Sequence, residues 1–383
     1  MLDITSPEFS CNGCMACYNV CPQKCITMKI DLEGFWYPEI NKEECIGCGL
    51  CESVCPEINV YINNNSTETP KAFAAIYSDD SIRVLSSSGG VFTCLSEVIL
   101  NENGVVFGAD FDEKLNVTHR EAHDKQQLSD LRGSKYVQSK INYSFQSIKA
   151  YLEKGKIALF SGTPCQIAGL YNYLRTDYQN LYTCSVICHG VPSPKVYNAY
   201  KVYMQNVYRS KIKSINFRNK NKGWREFSIK LLFEDSQEYN NTLREDPFLL
   251  GFLRNYYLRP SCYECKYARL PRVADITMGD FWGVEKSYPE FDDKGVSLVL
   301  VNTPKGCELF NRANVKLTTK EISLEEAKSS NINLYKPTEK PKTRDQFFYY
   351  FNNNSIESVI KKYLRPQNII IAYLKKIKNL FMK

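Results

Sequence analysis

The chain has 383 residues, 43% of them hydrophobic and 24% charged, and a formal net charge of +7. This length and composition predict two or three folded domains and exclude a disordered chain. No run reaches the roughly 18 to 20 apolar residues of a membrane-spanning helix, and the first residues carry no basic or apolar signal region, so we expect a cytoplasmic protein.

The positive charge is concentrated near the C-terminus. Residues 361–383 contain seven Lys or Arg and no acidic residue, so the rest of the chain sums to zero (7 − 7 = 0). A body without net charge gives no support to nucleic-acid binding. Cysteine is the unusual residue, with 16 in all. In a chain without a secretory signal, that number is more typical of metal ligands or redox thiols than of disulfides.

The first 60 residues contain nine cysteines and an internal repeat with a period of 34 residues. Each copy has the spacing C-x2-C-x2-C-x3-C-P, in which three thiolates hold one 4Fe-4S cluster and the fourth ligates the other cluster. The sequence therefore predicts cluster I on Cys11, Cys14, Cys17 and Cys55. It predicts cluster II on Cys45, Cys48, Cys51 and Cys21.

Zinc is the alternative metal for paired cysteines, but the doubled run with both prolines favours iron and sulfide. Cys25 falls outside both sets, and we interpret it as a buried free thiol. Residues 8–58 resemble the bacterial two-cluster ferredoxins. The resemblance implies an α+β ferredoxin-type domain over residues 1–60 that transfers single electrons.

A polar run over residues 61–70 is interpreted as a linker. Beyond it, short apolar runs alternate with amphipathic ones, which predicts an α/β domain with a largely parallel or mixed sheet over residues 71–335. The predicted strands cover residues 72–77, 104–111, 156–160, 181–187 and 297–301. The predicted helices cover residues 91–100, 142–154, 164–175 and 194–205. Residues 214–243 are predicted to form an antiparallel insertion, and residues 336–383 a basic tail.

Seven cysteines lie beyond the first 60 residues, and their surroundings divide them into two groups. Cys94, Cys184 and Cys307 lie inside predicted helices or strands and are interpreted as small core residues. The other four lie at the ends of strands or in loops, where an α/β sheet gathers its site. They predict a third 4Fe-4S site, with zinc as the alternative, on Cys165, Cys188, Cys262 and Cys265.

Seven motifs then occur in a fixed order: SSSGGVFTCLSEVI, GSKYVQS, GTPCQIAGL, CHGVPSP, FRNKNKGW, CYECKY and ADITMGDFWG. Together they resemble the coenzyme F420 hydrogenase/dehydrogenase beta-subunit family over about residues 71–335. The resemblance implies FAD, a 4Fe-4S cluster close to it, and hydride exchange with an organic acceptor. Bacterial relatives with a ferredoxin domain in front are often encoded beside surface-polysaccharide genes.

The motifs also supply candidate flavin-binding residues. A Ser/Gly turn before a helix lets backbone N–H groups approach an anion such as the FAD pyrophosphate, although an ordinary helix start is an equal alternative. No GxGxxG follows a strand, so we expect a non-Rossmann flavin site. The candidates are Ser87, Ser88, Gly89, Gly90, Gly133, Ser134, Lys135, Thr163, Arg218, Asp275, Gly279 and Asp280.

Two residues are candidates for catalysis. Lys135 is predicted to neutralise a phosphate or a reduced flavin, and a solvated lysine is the alternative. His189 follows Cys188 and is predicted to donate a proton or to tune the adjacent cluster, unless it is structural. Arg218, Lys220 and Lys222 form a basic loop that suits an acidic substrate or flavin phosphates, with solvated hairpin charges as the alternative.

The sequence thus predicts an iron–sulfur flavoprotein oxidoreductase with a redox partner protein, such as a ferredoxin, and an organic hydride acceptor. Two alternatives are an electron-transfer subunit without its own substrate and a non-redox scaffold held by metal. Residues 369–383 have the pattern of a basic amphipathic helix, which predicts either contact with a membrane surface, such as the inner membrane face, or docking on the protein body.

Overall fold

The computed structural model describes residues 10–366. The amphipathic helix predicted at residues 369–383 lies outside this range. In chain order, the elements are α1 (Ala16–Val20), β1 (Ile26–Ile30), β2 (Trp36–Ile40), α2 (Leu50–Ser53), β3 (Lys71–Tyr77), α3 (Asp80–Leu85), α4 (Val91–Asn101), β4 (Val105–Phe111), β5 (Val117–Ala122), α5 (Lys125–Leu131), α6 (Ser144–Glu153), β6 (Ala158–Gly162), α7 (Pro164–Leu174), β7 (Leu181–Val186), α8 (Pro194–Tyr208), β8 (Ile212–Asn219), β9 (Ser228–Phe233), β10 (Glu238–Thr242), α9 (Pro247–Leu253), β11 (Ile276–Asp280), α10 (Val284–Ser287), β12 (Ser297–Val301), α11 (Pro304–Ala313), β13 (Leu317–Ile322), α12 (Leu324–Ser330), α13 (Arg344–Asn353) and α14 (Ile356–Tyr363).

The N-terminal segment is a small unit in which the short helices α1 and α2 flank the antiparallel pair β1–β2. The rest of the chain is built on an eight-stranded sheet with the order β13-β3-β12-β11-β7-β6-β4-β5. Its centre is parallel, because β4, β6, β7 and β11 run in one direction. The flanking strands β5, β12, β3 and β13 pair antiparallel to their neighbours. The predicted mixed α/β architecture is confirmed.

The sheet is covered on both faces, which explains why its central strands are continuous apolar runs. All five residues of β12 are buried. Alternate residues face opposite cores. In β6, Leu159 packs with α4 and α11, whereas Ala158 and Phe160 pack with α6 and α7. Every strand and helix predicted from these runs is present, and β8, β9 and β10 form the predicted antiparallel insertion.

The C-terminal part of the described chain differs from the predicted tail. Residues from 344 to 363 form α13 and α14, and Phe347, Phe348, Phe351 and Val359 are buried in one core with β9 and α8. Aromatic residues at positions i, i+1 and i+4 share one helical face, which the surrounding Asn and Lys residues obscure in the sequence. The predicted linker is also anchored, because the Asn63 amide donates to the Val273 carbonyl at 3.1 Å. The division into domains stays a prediction.

Candidate functional site

The structure brings the predicted first cysteine set together. Burial, followed by repulsion from Cys55, Cys17 and Cys11, raises the pKa of the Cys14 thiol well above its ordinary value. The loop wraps around these sulfurs because Gly13 and Met15 both adopt positive φ, 72° and 62°. The Gly13 N–H points at the Cys11 Sγ atom at 3.3 Å. Burial, followed by repulsion from Cys11 and Cys55, likewise raises the pKa of the Cys17 thiol well above its ordinary value. A positively charged centre stabilises such buried thiols as thiolates.

The second predicted set lines a small cavity of about 30 Å³ beside the β1–β2 pair. All four of its members contribute to the lining: Cys21, Cys45, Cys48 and Cys51. Cys45 and Cys48 are exposed to solvent. Cys25 lines the same cavity, is 4% exposed, and places its Sγ atom 3.4 Å from that of Cys21. Cys25 is therefore a buried thiol, as predicted, but it also touches one of the proposed ligands.

The third predicted set also converges. Burial, followed by repulsion from Cys265, Cys188 and Cys262, raises the pKa of the Cys165 thiol well above its ordinary value. Cys165 is the second residue of α7, directly after β6, and Cys188 follows the neighbouring parallel strand β7. Because carboxyl ends of parallel strands share one sheet edge, these two residues meet there. Cys262 and Cys265 arrive from the 3-10 turn Pro260–Glu264.

The chemistry of the three sets suits iron–sulfur ligation, since each consists of cysteine sulfurs alone. Within residues 10–366, no three His, Cys, Asp or Glu side chains are arranged to hold a single metal ion. The cysteines interpreted as core residues lie apart from these sets. Cys94 and Cys184 are fully buried, and Cys307 is half-buried on α11.

A cavity of about 570 Å³ opens at the carboxyl ends of β6, β7 and β11. This volume lies within the range of small-molecule and cofactor sites. Cys188 of the third set is one of the residues that line this cavity. Most predicted cofactor and catalytic residues line it: Ser87, Ser88, Gly90, Gly133, Ser134, Lys135, Thr163, His189, Arg218, Gly279 and Asp280.

Two predicted cofactor-binding residues have other positions. Gly89 lies directly against strand β3. A Cβ atom at this position would be 2.2 Å from the Ala75 carbonyl oxygen, so only glycine allows the turn to lie this close to the strand. Asp275 is 1% exposed. Its carboxylate accepts hydrogen bonds from the Thr183 N–H and hydroxyl, both at 2.8 Å, and from the Thr303 hydroxyl at 2.7 Å. Asp275 therefore joins β7, β11 and α11 instead of facing a ligand.

Residues 86–90, the Ser/Gly turn, precede α4 and are held in place by contacts on two sides. The Ser87 hydroxyl accepts from the Ser134 N–H at 2.6 Å and contacts the Ser134 hydroxyl at 2.8 Å. On the other side, the Lys220 ammonium donates to the Ser88 carbonyl at 2.7 Å and to two further carbonyls. Burial, followed by repulsion from Arg218, lowers the pKa of Lys220 to about 7. Lys220 is thus a buried brace for the turn and not a solvated hairpin charge.

Arg218 is 3% exposed and links the turn to the sheet. Its guanidinium donates to the Ser87 carbonyl and to the Asp280 carboxylate, both at 3.0 Å. It also lies 3.9 Å from the centre of the Phe227 ring. Among residues 10–366, its Nε–H has no hydrogen-bond partner although it is buried. A buried unpaired donor beside a cavity is costly unless a ligand accepts from it.

The two catalytic candidates are partly engaged by the protein. The Lys135 ammonium donates to the Asp130 carbonyl at 2.7 Å and the Arg132 carbonyl at 3.1 Å. Burial lowers the pKa of Lys135 to about 8. The His189 ring nitrogens lie 2.7 Å from the Asn255 amide oxygen and 3.2 Å from that of Asn333. Both side chains line the cavity in defined orientations.

His119 lines the cavity but was not predicted from the sequence. Its ring nitrogens contact the Ser139 hydroxyl at 2.7 Å and the Ser161 carbonyl at 3.0 Å. Burial lowers the pKa of His119 to about 4, so the ring is neutral, donates to the carbonyl and accepts from the hydroxyl. Its position on β5, between the buried Val117 and Ala122, was the available signal, but β5 itself was missed.

The first and third cysteine sets are neighbours. Gly169 lies one helical turn after Cys165 on α7, and a Cβ atom there would be 2.8 Å from the Cys14 Sγ atom. On the cavity side, the hydroxyl of Thr163 is 3.2 Å from the Cys165 Sγ atom. The third set therefore lies between the first set and the cavity.

Comparison with known proteins gives two family models that match and a solved structure with a similar fold. Residues 155–326 match the family model that describes the C terminus of the coenzyme F420 hydrogenase/dehydrogenase beta subunit, and residues 10–58 match a 4Fe-4S dicluster domain. No curated protein matches the chain. A chain from the xenon-derivatised F420-reducing NiFe hydrogenase complex of Methanosarcina barkeri has a similar fold, with a TM-score of 0.50 and 18% identity. The alignment covers 80% of the present chain and 99% of that chain.

Proposed function

Because the chain joins a 4Fe-4S dicluster domain to a domain of the coenzyme F420 hydrogenase/dehydrogenase beta-subunit family, we propose that it is an iron–sulfur flavoprotein oxidoreductase. The observation that carries the proposal is that Cys188 belongs to the third cysteine set and lines the cavity. When bound, iron–sulfur clusters supply single electrons, and FAD converts them into a hydride equivalent for an organic acceptor. The protein supplies placement and electrostatics.

The cavity residues fit an anionic cofactor. Arg132, Lys135, Arg218 and Arg225 line it, and Asp280 is the acid among the lining residues. Arg218 and Lys220 hold the carbonyls of Ser87 and Ser88, which fixes the turn at the start of α4. The first N–H groups of that helix and the cationic lining suit a pyrophosphate. We assign the pyrophosphate of FAD to this end of the cavity.

His189 and Lys135 are the proposed groups beside the reacting part of the ligand. The Asn255 and Asn333 amides orient the His189 ring, and each donates its own N–H to a backbone carbonyl, of Glu339 and Lys336 respectively. Both ring nitrogens face amide oxygens, so these contacts fix the orientation of the ring at the cavity wall. Burial lowers the pKa of Lys135 to about 8, which still leaves its ammonium mostly cationic at pH 7 and able to balance negative charge in the cavity.

Electrons are proposed to enter at the second set, because Cys45 and Cys48 are exposed. A redox partner protein, such as a ferredoxin, is the proposed donor.

A second candidate function is that of an electron-transfer subunit without its own substrate. The similar fold in a hydrogenase complex favours that possibility. Within residues 10–366, no helix is long and apolar enough to cross a membrane.

The test is the iron, sulfide, zinc and flavin content of anaerobically purified protein, with visible spectra before and after dithionite. We expect about 12 iron atoms per chain in three cubanes, together with one FAD that bleaches on reduction. Iron near eight per chain together with zinc, and no flavin, would contradict the flavoenzyme. Bound FAD without turnover of any organic acceptor would favour the electron-transfer subunit.

A further inference from the structure

The segment 259–267 carries Cys262 and Cys265 of the third set, and both of its ends hold loops of the first set. We call residues 259–267 the clamp segment. Its N-terminal end lies against Cys11, and its C-terminal end lies against the residues that follow Cys55. Cys11 and Cys55 are proposed ligands of the same cluster, so the segment holds that site at two points.

The N-terminal end is fixed by Arg259, which is fully buried. Its Nε–H donates to the Cys11 carbonyl at 2.7 Å, and its terminal nitrogens donate to the Trp36 carbonyl at 2.9 Å and to the Gln138 side chain at 3.1 Å. The guanidinium lies 4.3 Å from the centre of the Tyr37 ring. Arg259 therefore holds the N-terminal segment with two direct hydrogen bonds and a stacking contact. Its third hydrogen bond is indirect, because the Gln138 side chain in turn donates to the Asn12 carbonyl at 3.4 Å.

The C-terminal end is fixed by two consecutive residues. The Tyr267 hydroxyl donates to the Pro56 carbonyl at 2.8 Å, and the Tyr267 ring is 4% exposed. The Lys266 ammonium donates to the Glu57 carbonyl at 2.6 Å and pairs with the Glu57 carboxylate at 3.2 Å. The side chain of Asn12 completes the contact by donating to the same carboxylate at 3.1 Å.

These contacts have a geometric consequence. Cys262 and Cys265 lie between the two ends of the clamp segment, so these two residues of the third set are tied to the backbone at Cys11 and at Pro56, which follows Cys55. We infer that the clamp segment sets the separation between cluster I and the third cluster, and that Arg259 and Tyr267 are positioning residues for electron passage between them. This inference rests on the proposed function and adds to it which residues couple the two cofactors.

The test uses full-length, anaerobically purified Arg259→Met and Tyr267→Phe proteins. Electron paramagnetic resonance of the dithionite-reduced proteins reports the magnetic interaction between neighbouring clusters. We expect a weakened interaction in both variants, with the smaller effect in Tyr267→Phe because it loses one hydroxyl. Iron content and the spectra of the individual clusters stay unchanged. Because electron transfer between clusters becomes slower as their separation increases, flavin reduction by a reduced ferredoxin should slow severalfold.

The matched control is Lys201→Met. Lys201 is also a buried cation whose ammonium donates to backbone carbonyls, of Lys114 and Leu115, but these contacts involve neither cysteine set. We expect wild-type magnetic interaction in this variant. Twelve iron atoms in the wild type, with an interaction unchanged in both clamp variants, would overturn the clamp alone. A wild type with about eight iron atoms would overturn the third cluster, and the clamp with it.

Discussion

The Arg218 guanidinium and the Asp280 carboxylate form an ion pair at 3.0 Å, and the carboxylate oxygen also accepts from the Trp224 indole at 2.8 Å. The same guanidinium donates to the Ser87 carbonyl. The basic loop and the Ser/Gly turn are thus one structure, joined through the end of β11. Through these contacts, Arg218 of the basic loop holds the Ser/Gly turn, and the turn forms part of the proposed pyrophosphate site.

Replacing Arg218 should therefore remove the cofactor as well as stability. We expect Arg218→Met to lose on the order of 3 kcal/mol of unfolding free energy, because a nearly buried charge is left without its partner. Flavin content should fall in parallel. Denaturant unfolding and flavin absorbance measure the two effects.

Lys222→Met is the control for that variant, because Lys222 is in the same loop but its side chain is 46% exposed. Its ammonium makes only a long contact, 3.8 Å, with the Glu245 carboxylate. We expect a change of less than about 0.5 kcal/mol and normal flavin content. Equal losses in both variants would show that general loop disruption, and not the Arg218 contacts, controls the site.

Cys188 and Cys184 lie four residues apart, and replacing each one distinguishes a proposed cluster ligand from a residue that only packs in the core. Cys188→Ala should lower the iron content from about 12 to about 8 per chain, because the proposed third cubane loses a ligand. Cys184→Ala, in the fully buried part of β7, should keep all of the iron and cost about 1 kcal/mol of stability. Iron analysis and thermal unfolding distinguish the two. Full iron in Cys188→Ala would remove that residue from the ligand set.

Gly169 tests the contact between the N-terminal unit and α7. A methyl group there would lie 2.8 Å from the Cys14 Sγ atom, so Gly169→Ala should loosen the first set although alanine favours a helix by about 1 kcal/mol. We expect lower iron occupancy and a lower melting temperature. Gly108→Ala is the comparison, because its nearest neighbour would be at an ordinary 3.4 Å. Unchanged iron in Gly169→Ala would show that this contact adapts.

His119 should make stability depend on pH. Burial lowers its pKa from 6.5 to about 4, so the folded state binds fewer protons than the unfolded chain between these values. Its stabilising contribution is complete above about pH 6.5 and decreases as the pH falls towards 4. At pH 5.5 the loss should be about 1 kcal/mol relative to pH 7.5. The measurement is the difference in unfolding free energy between wild type and His119→Gln at the two values, and a constant difference would contradict the assignment.

The parts predicted correctly from the sequence are those governed by local rules. Cysteine spacing identified the 4Fe-4S dicluster domain of residues 10–58, while the assignment of each ligand stays a prediction. Apolar runs identified strands buried on both faces, as in β12. Asp275 and Asp280 show the limit. They lie five residues apart in one motif, yet Asp275 is enclosed by Thr183 and Thr303 while Asp280 lines the cavity. The two ends of a short strand look alike in sequence, and only the neighbouring strands determine which one a ligand can reach. His119 was missed for a different reason, because strand β5, which carries it, was not predicted.

The exposure of the thiols changes along the proposed electron path. Cys45 and Cys48 are open to solvent, whereas Cys14 is 6% exposed and the cysteines of the third set are half-buried behind the N-terminal unit. Oxygen should therefore damage the outermost cluster first. A preparation handled briefly in air should fail with its natural protein donor yet still be reduced by a small artificial dye that reaches the cavity directly. Such a preparation would resemble a protein that lacks its electron donor, although the proposed flavin cavity would be intact.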